Sequence, residues 1–204
     1  MPDATHVSDP PRCWVRTYTG RKFFPLDPRP EDVNIFDIAH ALSNMCRFGG
    51  HVREFYSVAE HSVRVSLRLR QMGESIAVQL WGLLHDAGEA YLFDACRPVK
   101  VVMPELSTIE GRIMLAICDH FELPPIPSHA VHQADNELLV TEARDLLPRG
   151  VEEWEGIDRY PPPLKEVIRP WSAGFIAEER FLRRFAALRA GVMESSWEST
   201  GAIP

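Results

Sequence analysis

From residue 35 onward the apolar residues recur three and four positions apart, and that spacing admits an α-helical fold and little else. Ile38, Ala41, Leu42 and Met45 fall at i, i+3, i+4 and i+7, which predicts a helix over 35–47 stopped by Gly49-Gly50. Val58, His61, Val65 and Leu69 line a second helix that Gly73 ends. Leu80, Leu83, Leu84 and Ala87 mark a third, and Leu106, Ile109, Ile113, Ile117 and Phe121 a fourth. After the break at Pro124, Pro125 and Pro127, a fifth turns Val131, Ala134, Leu138 and Leu139 inward and closes at Pro148. A last helix over 174–190 carries Phe181, Leu182, Phe185 and Leu188 on one stripe.

The remainder is shorter. Residues 14–24 alternate around Thr19-Gly20, as a small β-hairpin does. The stretch 150–172 is proline-rich, yet Trp154, Tyr160 and Trp171 give it reason to pack on the body. With 204 residues, the expectation is an all-α bundle with a minor N-terminal hairpin: a flexible leader over 1–12, one domain over 13–190 and a tail over 191–204.

A net charge of −7 with no basic stripe argues against a nucleic-acid polymer as partner. Cys13, Cys46, Cys96 and Cys118 form no Cys-x-x-Cys pair and read as reduced thiols of a cytoplasmic protein. The apolar runs are too short for a membrane span, and the start of the chain has no signal-peptide core. No Gly-x-x-x-x-Gly-Lys phosphate loop occurs.

Polar residues interrupt the stripes at telling places. His61 lies on the second helix, His85-Asp86 follow Leu83-Leu84 on the third, and Asp135 follows Ala134 on the fifth. In a bundle these stripes converge. A buried carboxylate needs a partner or a cation, and two imidazoles with two carboxylates suit a divalent first-row ion. On an octahedral ion they leave two positions for water or substrate. Taken singly, each has a plainer reading: a satisfied core histidine, a chance His-Asp pair, a surface aspartate.

The order His61, then His85-Asp86, then Asp135 resembles the HD-domain metal-dependent phosphohydrolases. Ser57–Ser62 (SVAEHS), His85–Glu89 (HDAGE) and Gln133-Ala134-Asp135 resemble the bacterial 5′-deoxynucleotidase branch. The run Asp37–Ser43 with Cys46-Arg47-Phe48 is similar to a wider set that includes the oxetanocin-pathway phosphohydrolase. The resemblance implies an HD helical bundle and one divalent ion (Co²⁺, Mn²⁺, Fe²⁺, Ni²⁺ or Zn²⁺) on His61, His85, Asp86 and Asp135.

It further implies water activation by Glu89, expected on the helical face of His85. Asp94 matches an acidic residue linked to substrate placement or catalysis. Arg47 stands close to an arginine that contacts substrate, and Phe48, His51, Arg97 and Lys100 are candidates for further substrate contacts. Phe48 replaces a tryptophan of the deoxynucleotidase and Arg97 a threonine, which leaves sugar and phosphate count open. The activity implied is release of phosphate from a small (deoxy)nucleotide. The alternatives are a dNTP triphosphohydrolase and a non-catalytic nucleotide-binding HD module. Relatives are commonly homo-oligomers.

Overall fold

The computed structural model describes residues 13–149, 154, 156–171 and 173–191. The leader expected over 1–12, all but the first residue of the tail and the Arg97 side chain lie outside the described residues. The fold is the helical bundle expected. A two-stranded hairpin, β1 (Val15–Arg16) and β2 (Lys22–Phe23), precedes α1 (Ile35–Asn44), α2 (Val58–Gln71), α3 (Ile76–Leu84), α4 (Arg97–Val102), α5 (Pro104–Phe121), α6 (His129–Leu146) and α7 (Gly174–Arg189). The strands pair antiparallel, Val15 opposite Phe23. Asp37 docks the hairpin turn on α1 by accepting from the Thr19 N–H at 2.6 Å and its hydroxyl at 2.9 Å.

Helix α2 is central and packs against α1, α3, α6 and α7. Its start follows from sequence: the Ser57 side chain caps the Glu60 N–H at 3.1 Å. Its apolar face, Val58, Val63, Val65 and Leu69, is buried with Ile38 and Leu42 of α1, Leu83 and Leu84 of α3 and Phe181 of α7. Gly82 sets the α2–α3 approach. A Cβ there would collide with the Leu69 side chain and lie 3.3 Å from Val65 Cγ1. The segment before α7 is fastened to α2 by Glu60, whose Oε2 accepts from the Trp171 N–H at 2.9 Å.

Three boundaries differ from the sequence expectation. Helix α1 ends at Asn44 rather than 47. The Ser43 and Asn44 side chains both donate to the His40 carbonyl, at 2.8 Å each. The chain then pairs with the residues that open α2: Val58 N–H to Met45 O at 3.0 Å and Arg47 N–H to Tyr56 O at 2.9 Å. Helix α3 ends at Leu84, and Ala87–Tyr91 form a tighter 3-10 turn, so His85 and Glu89 do not share an α-helical face. Arg97–Val102, a stretch for which the apolar spacing predicts no helix, forms α4, with Pro98 in its first turn, where its fixed φ and missing N–H are harmless. All four cysteines are free thiols. Among the described residues no helix is long and apolar enough to cross a membrane.

Candidate metal centre

Helices α2, α3 and α6 bring the interrupting polar residues to one point. His61 Nε2 lies 3.2 Å from His85 Nε2. Asp86 Oδ2 is 3.2 Å from His85 Nε2 and 3.7 Å from His61 Nε2. Asp135 Oδ1 is 3.1 Å from His61 Nε2 and 3.7 Å from His85 Nε2. Ligand atoms of His61, His85 and Asp86 all lie within 4.8 Å of one another. His61 is fully buried, while Asp135 stands half-exposed at the mouth.

The other ring nitrogens fix the tautomers. His61 Nδ1 is 2.6 Å from Glu142 Oε1, and His85 Nδ1 is 2.8 Å from the Gly82 carbonyl oxygen. An ionised carboxylate and a carbonyl only accept, so both Nδ1 atoms carry the proton. Both Nε2 atoms then face each other, and a proton or a metal cation held there removes the repulsion between their lone pairs. Two neutral imidazoles flanked by two carboxylates are the donor set that a divalent ion takes.

The electrostatics agree. Burial opposes ionisation of Asp86, but His85, His61 and Arg47 outweigh it and hold the carboxyl below its usual range. Asp135 is likewise held low by His61 and His85 against its burial. Burial also works against charging His85, yet Asp86 and Asp135 raise its affinity for a proton well above the ordinary imidazole value. A cluster that draws protons this strongly draws a metal cation by the same field.

Beside the ion site opens a cavity of about 910 Å³. Its charged wall includes Arg47, Glu89 and Asp94, and its apolar wall Phe48, Trp154 and Tyr160. Phe48 adopts a left-handed backbone (φ 54°), followed by Gly49 (φ 59°), in the 3-10 turn Arg47–Gly50. Glu89 is 4% exposed. Its Oε2 has no hydrogen-bond partner among the described residues, and its Oε1 lies 3.5 Å from Lys100 Nζ. Burial, then Asp86 and Asp94, push the Glu89 carboxyl up to about 9. Burial likewise raises Asp94, with Asp86 adding to it.

The structure thus brings Arg47, Phe48, Glu89 and Asp94 to one cavity with Asp86 and Asp135. It does not bring His51 or Lys100 there. His51 is exposed and does not line the cavity. Lys100 lies behind the wall, 2.9 Å from the Glu110 carboxylate.

Sequence reasoning missed Glu142 and Tyr56. Glu142 is wholly buried and accepts from His61, from the Tyr56 hydroxyl at 2.8 Å and from Arg47 Nε at 3.0 Å. Its signal was present: Glu142 follows Asp135 by two helical turns, on the same face of α6. Tyr56 sits in no periodic stretch and gave none.

The bundle thus converges two imidazoles and two carboxylates, a set able to hold a metal ion, beside an open, partly charged cavity. Residues 58–146 match the HD domain family. YfdR of Escherichia coli, an uncharacterized protein, is 36% identical over 172 residues, covering 84% of this chain and 93% of its own length. A second uncharacterized protein, from Rhodobacter capsulatus, is 34% identical over 162 residues, covering 75% and 83%. The chain belongs to the HD domain family. HD domains bind divalent metals, and the family is one of metal-dependent phosphohydrolases.

Proposed function

We propose that the protein hydrolyses phosphate esters of small nucleotides, removing phosphate with the help of one divalent ion held by His61, His85, Asp86 and Asp135. The observation that carries the reading is the pair of Nε2 atoms 3.2 Å apart beside Asp86 and Asp135, two carboxylates that line a cavity also holding a guanidinium and aromatic walls. The ion supplies Lewis acidity toward a phosphoryl oxygen and eases deprotonation of water.

Hydrolysis adds water across one P–O bond: the water oxygen bonds to phosphorus and the ester P–O bond breaks. Glu89 is buried, with one oxygen lacking a partner among the described residues; its ionised form, which a divalent cation beside Asp86 would favour, accepts the proton that the water gives up. Arg47 receives phosphoryl oxygens, since a guanidinium presents several N–H donors in one plane. Asp94 orients the substrate from the same wall. Phe48, Trp154 and Tyr160 offer flat apolar surface to a nucleobase. A small-molecule substrate fits a chain of net charge −7 better than a polyanion does.

The test is direct. Metal-stripped protein, reloaded with Co²⁺ or Mn²⁺, is given nucleoside mono-, di- and triphosphates, with Glu89→Gln in parallel. Metal-dependent release of phosphate, lost in Glu89→Gln, is the expected result. Release of intact triphosphate would make the enzyme a triphosphohydrolase. No turnover of any nucleotide by fully loaded protein would refute the reading in favour of a binding module.

A further inference from the structure

The floor of the site rests on one carboxylate. Glu142 is wholly buried on α6, and ion-pair burial of this kind costs folding unless every lone pair is used. Here both oxygens are engaged. Oε1 accepts from His61 Nδ1 at 2.6 Å and from the Tyr56 hydroxyl at 2.8 Å, and Oε2 accepts from Arg47 Nε at 3.0 Å. One oxygen therefore faces an imidazole of the metal site and the other faces the guanidinium of the cavity wall. Arg47 is held by its Nε edge, and its Nη1 reaches Asp86 Oδ2 at 3.4 Å.

We propose that Glu142 is a positioning residue that orients His61 toward the ion and Arg47 toward the phosphoryl group at once, so that metal affinity and phosphate affinity depend on the same carboxylate. This rests on the phosphohydrolase reading above. The chemistry of the two oxygens carries it. Both sides of Glu142 meet N–H donors, so both must be acceptors. A glutamine has the same shape but one acceptor. With its oxygen toward His61, its NH₂ faces the Arg47 Nε–H and drives the guanidinium away. With its NH₂ toward His61, Nδ1 must become the acceptor, the ring proton moves to Nε2, and the metal-facing lone pair is lost. No orientation of glutamine serves both neighbours.

Glu142→Gln, compared with the wild type, is titrated with Co²⁺ and then, at saturating Co²⁺, with inorganic phosphate. The control is Glu137→Gln, which removes another buried carboxylate from α6, one bonded to Arg68 at 2.6 Å. Outer partners of metal-bound histidines are worth about 10–100-fold in metal affinity. The expected result is a loss in that range for Co²⁺, an altered visible Co²⁺ spectrum and at least a several-fold loss for phosphate, with Glu137→Gln unchanged in all three. Unchanged Co²⁺ and phosphate affinity overturns the proposal. Loss of Co²⁺ affinity alone also overturns it, because the coupling is then absent.

If Glu142→Gln does not fold, nitrogen NMR of the Zn²⁺-loaded wild type decides. The expected signals are a strongly downfield His61 Nδ1–H and an exchange-protected Arg47 Nε–H that shifts when inorganic phosphate is added. Absence of either overturns the proposal. A wild type that binds no Co²⁺ would instead refute the phosphohydrolase reading itself.

Discussion

Replacing Glu89 by glutamine is expected to stabilise the metal-free protein while abolishing turnover. The carboxyl is 4% exposed, has one oxygen without a partner among the described residues, and is pushed by burial, Asp86 and Asp94 from an ordinary 4.5 up to about 9. A group whose folded pKa is raised contributes its full stability below the unfolded value and loses it as pH climbs toward the folded one. Each pH unit between those limits costs about 1.4 kcal/mol, which accumulates to about 3 kcal/mol at pH 7. Glutamine has the same shape and no charge to suppress.

Urea unfolding in the presence of a chelator, from pH 5 to pH 8, measures the difference. Wild type and Glu89→Gln should be nearly equal at pH 5, and the variant should lead by a margin that widens toward pH 8. A gap that stays flat with pH, or a variant weaker than wild type at pH 8, would refute the argument that burial beside Asp86 and Asp94 governs this carboxyl. Loading with Co²⁺ should narrow the gap, since the cation offsets the Asp86 charge.

Co²⁺ affinity should fall from pH 8 to pH 6, because Asp86 and Asp135 raise proton affinity at His85, and protons then compete for the same lone pairs; calorimetric titration at the two pH values checks it, and a pH-independent affinity would contradict it. Gly82→Ala should cost about 1–3 kcal/mol in urea unfolding, since its methyl meets Leu69 and Val65 where α2 and α3 touch, and a neutral result would mean that the two helices separate readily.

Much of this was legible in the chain, for a definite reason. His61, Asp135 and the core of α2, α3, α5 and α6 lie in stretches where apolar spacing alone fixes which way a side chain faces. Glu142 lay within reach of the same reasoning, because it stands among the buried Val140, Thr141 and Ala143 two turns beyond Asp135. The end of α1 was not legible. It is set by the pairing of Met45 and Arg47 with Val58 and Tyr56, a contact that no local pattern announces. Trp154 and Tyr160 reach the cavity from an irregular segment, so their side-chain directions come only from tertiary packing. Glu89, which the family resemblance supplied, lines the cavity from a 3-10 turn, so the α-helical face expected for it with His85 is not there.

The partners of Glu142 also say when the site comes into being. His61 is 81 residues away along the chain, Tyr56 86 and Arg47 95. Closing contacts of that span is late work for a folding chain, since loop-closure entropy must be overcome first. Until α6 has docked on α2, the donor set lacks Asp135, and Glu142 does not yet stand behind His61. A metal ion therefore meets the complete site only in the finished protein. Its binding energy accrues after the folding barrier, and it lengthens the lifetime of the native state rather than hastening its formation.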